Sequence, residues 1–177
     1  MKLVVLDRDG TINHDSDQHV KSLQEWRPIK GSLEAIARLA HAGYRVVVAT
    51  NQSGIARGLL DTRMLFAIHG ELQRAAAQAG GRIDAFFFCP HAATDGCQCR
   101  KPQPGMLHEI ARRFNVPLAG VYMVGDARRD VEAAAAAGAR PALVLTGKGK
   151  ATSREGKLPA GTEVYADLAA FARHLAP

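Results

Sequence analysis

The stretch KLVVLDRDGT, Lys2–Thr11, is an uninterrupted apolar run that stops abruptly on two acids and a glycine. A run of Leu and Val without polar alternation suits a strand covered on both faces. The rest of the chain repeats the theme. GSLEAIARLAHAG (Gly31–Gly43) has helical apolar spacing and ends at Gly43, a C-terminal stop. Strands are expected at Tyr44–Ala49, Ile83–Phe88, Val121–Val124 and Ala142–Leu145, with a short one at Glu163–Tyr165. Helices are expected at Asp61–Ala79, capped by Asp61 or Thr62, at Gly105–Phe114, at Asp130–Ala137 before Gly138, and from Asp167 onward. Strands alternating with helices predict an α/β fold: a doubly wound parallel sheet with helices on both faces. The polar, Lys- and Gly-rich segment Gly147–Gly161 reads as a mobile loop.

A chain of 177 residues, 47% hydrophobic and 23% charged, matches one ordinary domain, here spanning residues 1–177. The apolar run Leu3–Leu6 is too short for a signal peptide or a membrane span, so a cytoplasmic protein without a membrane partner is expected. The net charge of +6 favours anionic partners. Aromatic residues make up only 6%, and the basic residues are dispersed or paired, as at Arg112–Arg113 and Arg128–Arg129, without the aromatic interleaving that stacks bases. No nucleic acid is therefore expected, and a phosphorylated small molecule would use the same charge. No long exposed apolar stripe is evident, which points to a monomer.

In a doubly wound sheet, ligands bind at the carboxyl ends of the strands. DRDGT (Asp7–Thr11) follows the first strand, TNQSG (Thr50–Gly54) the second, a cysteine cluster with Arg100 and Lys101 the third, and GDARRD (Gly125–Asp130) the fourth. Each alone is an ordinary cap or turn. Four polar segments on one edge fit phosphoryl transfer through an aspartate. Asp7 is the candidate nucleophile, and a divalent cation must screen its repulsion from a phosphate. Asp126 offers a second carboxylate, and few protein ligands supplemented by water and substrate oxygens suit Mg²⁺. Asp9 lies two residues on in an extended segment, points the same way as Asp7, and can act as acid and then base. Gly10 permits a tight turn, and Thr11 can hydrogen-bond the carboxylates. Thr50 and Asn51 offer a hydroxyl and amides to the phosphoryl oxygens, and Lys101 adds positive charge.

All three cysteines lie within Cys89–Cys99, with His91 among them. An odd number of thiols in a reducing compartment argues against a disulfide framework. Two readings remain: a metal clip of Cys₃His type, or redox chemistry at Cys97 and Cys99, which a C-x-C pair forms poorly because the bridge strains the backbone. Arg57 and Arg100 are placed to hold a second phosphate or a sugar hydroxyl, or are solvated charge. Trp26 covers the entrance, or is packed surface.

DRDGT, the Thr after the second strand, Lys101 and GDARRD resemble motifs one to four of the haloacid dehalogenase superfamily, over nearly the whole chain. TNQSGIARG, the CPH…CxCRKPxPGM segment and YMVGD further resemble the branch of sugar bisphosphate and histidinol phosphate phosphatases. The resemblance implies Asp7 as nucleophile and Asp9 as acid/base. It implies Mg²⁺ held by Asp7, Asp126 and the Asp9 backbone carbonyl, with Thr50 and Lys101 steadying the phosphoryl group. Arg100 would recognise the substrate, and Cys89, His91, Cys97 and Cys99 would hold a structural Zn²⁺ that staples the loop. Asp15–Lys30 is too short for a cap domain and Gly54–Arg100 is used up by a helix, a strand and the loop. Specificity is therefore expected from surface loops: Asp15, Ser16, Asp17 and Gln18, then Asn51, Gln52, Ser53, Arg57 and Arg100. The expected substrate is a heptose 1,7-bisphosphate, losing its 7-phosphate on the way to the heptose of a bacterial envelope. Histidinol phosphate is the alternative, to which the acidic residues Asp15, Asp17 and Glu25 would suit a cationic amine. A zinc-bearing nucleic-acid module would leave Asp7, Asp9 and Asp126 without a role, and a phosphomutase would need the missing cap.

Overall fold

The computed structural model describes residues 1–177 and contains one six-stranded sheet. The strands are β1 (Lys2–Leu6), β2 (Tyr44–Asn51), β3 (Ala85–Cys89), β4 (Tyr122–Gly125), β5 (Arg140–Val144) and β6 (Glu163–Tyr165). Their order is β3-β2-β1-β4-β5-β6, and every neighbouring pair is parallel. The main helices are α1 (Ser32–His41), α2 (Thr62–Gln78), α3 (Gly105–Phe114), α4 (Arg128–Ala136), α5 (Gly149–Glu155) and α6 (Leu168–Leu175).

Side chains alternate between two cores, as strand geometry requires. Val4 and Leu6 of β1 and Val46 and Val48 of β2 meet Ile36 and Leu39 of α1, Leu65 and Ile68 of α2 and Phe171 of α6. Leu3, Val5 and Val47 face the other way and meet Met106, Leu107 and Ile110 of α3 and the alanines of α4. The central strands β1 and β2 are thus covered on both sides, which explains their apolar runs. Asp61 caps α2, its carboxylate accepting from the Met64 amide at 2.7 Å, and Asp167 does the same for α6 through Ala170.

Two expectations are corrected, and the alternative left open at Trp26 is decided. Gly147–Gly161 is not a loop throughout, because Gly149–Glu155 forms α5, fixed by the Thr152 hydroxyl, which donates to the Asp126 carbonyl. Trp26 is not at the entrance. It is 5% exposed and packed in the α1/α2 core with Val20, so burial of its large ring decided its place. The third strand runs to Cys89, so the first thiol belongs to the sheet itself. No cap domain interrupts the sheet, and no helix is long and apolar enough to cross a membrane.

Candidate active site

The strand order reverses between β1 and β4, and the chains leaving these two strands lie side by side. This switch point is where a doubly wound sheet opens a crevice. The Asp7 amide donates to the Val124 carbonyl at 2.8 Å, continuing the β1–β4 ladder beyond the strands. Asp7 and Asp126 are thereby brought together, and Asp130 joins them from the first turn of α4. Carboxylate oxygens of these three residues lie within 4.8 Å of one another, and all three side chains are buried.

So much buried negative charge is unfavourable by itself. Burial, followed by the neighbouring Asp130, raises Asp7 to about 6 against the pull of Lys101 and Arg129. Burial, then Asp7 and Asp130, raises Asp126 to about 7, opposed by the Lys148 amide. Asp126 Oδ2 accepts from that amide at 2.7 Å, whereas its Oδ1 is buried without a hydrogen-bond partner. An orphaned carboxylate oxygen beside two more carboxylates fits a small hard cation such as Mg²⁺, and Asp7 and Asp126 are the residues that could hold it. The space is shaped by glycine: at Gly10, φ is +84° and an added Cβ would stand 2.0 Å from Asp126 Oδ2.

Lys101 closes the group. Although 1% exposed, its ammonium lies 2.8 Å from Asp7 Oδ1, 2.8 Å from the Ala49 carbonyl and 2.7 Å from Asp130 Oδ1. The contact to Asp130 is ionic, since it lies off the directions a hydrogen bond prefers. Burial works against the charge, but Asp130 and Asp7 outweigh it and raise the lysine above its ordinary value. Asn51 fixes the lysine's backbone. Its side-chain amide donates to the Lys101 carbonyl at 3.0 Å and its Oδ1 accepts from the Lys101 amide at 3.1 Å. Oδ1 and one hydrogen of the Asn51 side-chain amide are therefore engaged in this clamp.

Asp9 is held in its own cradle. Arg8 Nε and Nη2 reach its two oxygens at 3.0 Å each, Asn13 donates to Oδ1 at 2.9 Å, and Gln52 donates to Oδ2 at 3.0 Å. Burial opposes ionisation, but the charge and donors of Arg8, with Asn13 and Gln52, keep this carboxyl below its ordinary value. Gln52 also donates to Thr50 Oγ1 at 2.9 Å, so buried Thr50 still has its own hydroxyl hydrogen to give. Thr11 does not bond to the carboxylates as expected. Its hydroxyl is buried without a partner, because the turn at Gly10 carries it away from them.

The cleft beside Asp9 has a volume of about 230 Å³. Of the residues named as candidate substrate contacts, Asp15, Ser16, Asp17, Asn51, Gln52, Ser53, Arg57 and Arg100 line it, and His19, Arg129 and Lys148 join them. Gln18 does not; it is exposed beside the cleft, and its carbonyl accepts from Lys21. Lys148 pairs with Asp15 at 3.4 Å and approaches Asp17 at 3.9 Å. A larger groove of about 790 Å³, between Lys2, Arg38 and Pro177, lies by the N-terminal end of β1 and holds none of these groups.

The cysteines form a second cluster at the end of edge strand β3. Cys89 Sγ lies 3.6 Å from Cys97 Sγ, 3.3 Å from Cys99 Sγ and 3.5 Å from His91 Nδ1, and Cys99 Sγ lies 3.3 Å from that nitrogen. The edges of a tetrahedron around Zn²⁺ with ordinary bond lengths are about 3.5–3.8 Å, so the donor set fits that ion closely. All three cysteines are free thiols. The cluster is tied to the site by the Gln52 amide, which donates to the Cys89 carbonyl at 2.7 Å, and by Arg100, which donates to the His91 carbonyl at 3.3 Å.

Sequence reading missed Arg8, Asp130, Lys148, Arg129 and His69. Asp130 stood inside the quoted GDARRD segment, one helical turn from Asp126, which was signal enough. Arg8 sits between the two acids and is completely buried, a cost only its carboxylate partner explains. Lys148 lay in the segment read as mobile.

A family model for HAD-hydrolase-like proteins matches residues 98–171. The chain is 59% identical to the D-glycero-beta-D-manno-heptose-1,7-bisphosphate 7-phosphatase of Bordetella bronchiseptica, over 99% of this chain and 98% of the relative. It is 53% identical to the enzyme of the same name from Pseudomonas aeruginosa, over 98% and 97% of the two chains. The crystal structure of D,D-heptose 1,7-bisphosphate phosphatase from B. bronchiseptica, complexed with magnesium and phosphate, superimposes with a TM-score of 0.97 over 99% of this chain and 98% of that one, at 59% identity. With identity at this level over essentially the full length, and with the acids, lysine and thiols assembled as described, the chain belongs to the D-glycero-beta-D-manno-heptose-1,7-bisphosphate 7-phosphatase family.

Proposed function

We propose that this protein is a Mg²⁺-dependent phosphatase that removes the 7-phosphate of D-glycero-beta-D-manno-heptose 1,7-bisphosphate through an aspartyl phosphate on Asp7, supplying heptose for a bacterial envelope. The observation that carries the reading is the buried group of Asp7, Asp126, Asp130 and Lys101 at the switch point, in a chain so similar to relatives of that name. A soluble sugar phosphate suits a cytoplasmic monomer.

In this reading Asp7 attacks phosphorus while the sugar oxygen leaves with a proton from Asp9. Water then attacks the aspartyl phosphate, and Asp9 takes the proton of that water, restoring Asp7. To serve as the acid, Asp9 must take up a proton and loosen at least one contact in the cradle of Arg8, Asn13 and Gln52. Magnesium, held by Asp7, Asp126 and the Asp9 carbonyl, would supply charge screening between nucleophile and phosphate. Thr50 has a hydroxyl hydrogen free for the phosphoryl group, and Lys101 keeps Asp7 ionised and oriented. Zinc on Cys89, His91, Cys97 and Cys99 would hold the loop that presents Arg100.

The acidic loop does not favour histidinol phosphate, because Lys148 already accompanies Asp15 and Asp17 and leaves them less able to receive an amine. The test is phosphate release from the heptose bisphosphate, histidinol phosphate and hexose monophosphates, with Mg²⁺ and with EDTA, for the natural chain and for Asp7→Asn. Preferential Mg²⁺-dependent turnover of the bisphosphate, lost in a folded Asp7→Asn variant, is the expected result. Preference for histidinol phosphate overturns the substrate, and an active Asp7→Asn variant overturns the nucleophile.

A further inference from the structure

The basic side chains around the carboxylates are not equivalent. Lys101 has three N–H groups and three oxygens within 2.8 Å of its nitrogen. Arg8 spends two of its nitrogens on Asp9 and is wholly buried behind it. Arg100 leans on the His91 carbonyl at the rim.

Arg129 is different. It is the second residue of α4, next to Asp130, and half-buried in the wall of the cleft with Asp9, Asn51, Gln52 and Arg100. Its Nε is buried without a hydrogen-bond partner, and the guanidinium takes no part in the ion pairs of the site. Burial works against its charge, but Asp130, Asp7, Asp126 and Asp15 together hold it firmly protonated. A cation kept charged in a cleft wall with its donors unspent is unfavourable until something anionic arrives. A planar fork of N–H groups matches two oxygens of a tetrahedral phosphate, as a lysine does not.

We propose that Arg129 is a substrate-contacting residue of this active site, its guanidinium binding oxygens of the phosphoryl group that is carried to Asp7. The proposal rests on the reading of Asp7 as nucleophile. It gives the site a division of labour: Lys101 organises the carboxylates before substrate binds, and Arg129 receives the phosphate. In sequence Arg129 was only one of a pair of basic residues, Arg128–Arg129, and its position one residue before Asp130 at the start of α4 turns it inward.

The experiment compares Arg129→Gln and Arg129→Lys with the natural chain in kcat/KM on p-nitrophenyl phosphate and on the heptose bisphosphate, in inhibition by inorganic phosphate, and in thermal melting. For Arg129→Gln, kcat/KM on both esters should fall by about 10- to 100-fold, and inhibition by inorganic phosphate should weaken by a similar factor. Arg129→Lys, which keeps the charge and loses the fork, should recover only part of either. A melting temperature near that of the natural chain ties the losses to the ligand. If Arg129→Lys binds inorganic phosphate as the natural chain does, or Arg129→Gln stays within about twofold of it in both readouts, far short of what a charged hydrogen bond contributes, the proposal is overturned. A natural chain that hydrolyses p-nitrophenyl phosphate but not the bisphosphate refutes the substrate instead, and the comparison on p-nitrophenyl phosphate still decides the role of Arg129.

Discussion

The Lys101 ammonium lies 2.7 Å from Asp130 Oδ1, and neither side chain has more than 1% of its surface exposed. Asp130 Oδ2 meanwhile accepts from the Ala127 amide at 3.0 Å, so this carboxylate both starts α4 and steadies the lysine on Asp7. Removing one partner of a buried pair leaves the other uncompensated. Asp130→Asn should lower stability by about 3–5 kcal/mol in denaturant unfolding, and kcat/KM should fall with it. Unchanged unfolding would show that Asp7 alone suffices to hold Lys101.

Gly10 is the second position where a small change should be large in effect. A methyl group there would enter the space of Asp126 Oδ2 on a backbone already at φ +84°. Gly10→Ala should reduce turnover by about 100-fold or more, because the displaced group is one of the two carboxylates that could hold the cation. Gly120→Ala is the control. Its φ is +86° but nothing lies within 4 Å of the added atom, so it should cost about 1–2 kcal/mol of stability with turnover retained.

His69 gives stability a pH dependence of known sign. It is 5% exposed, stacked on Phe86 at 4.4 Å with Nε2 unpartnered. Burial, followed by the charge of Arg8, lowers it from 6.5 to about 3, against the pull of Asp9. In the window between those values the unfolded chain holds a proton that the folded chain refuses, so stability falls as pH falls. In His69→Leu, unfolding free energy between pH 6 and pH 4 should lose up to about 1.4 kcal/mol less per pH unit than in the natural chain. Parallel pH profiles would contradict this.

The thiol cluster should be a staple and not a reactive site. Cys97→Ser should lower bound zinc and the melting temperature, and weaken substrate binding through the loop that carries Arg100, while residual turnover keeps its Mg²⁺ dependence. Full zinc content with an unchanged melting temperature would remove the structural role.

Most of the sheet was legible because it is a property of local pattern: buried strands must be continuously apolar, and each ends where acids or polar turns begin. Asp7, Asp126 and Lys101 were legible for the same reason, as residues that parallel strands must deliver to one edge. The partnerships were not. The clamp of Asn51 on the Lys101 backbone was not read, because it depends on a segment fifty residues away. α5 was read as loop because its position depends on a distant contact with Asp126, and the two readings of Trp26 stayed open because burial against Val20 and the α1/α2 core decides between them.

The carboxylates stand at the middle of the sheet, where β1 meets β4, whereas the thiol cluster hangs from β3 at its edge, joined inward by the β2–β3 ladder and the Gln52–Cys89 bond, with the Asn51 clamp holding the lysine that follows it. Chemistry and recognition are therefore separable inheritances. The edge loop could be exchanged or lengthened without moving Asp7, Asp126 or Asp130, provided an amide remained to grip the backbone of the lysine.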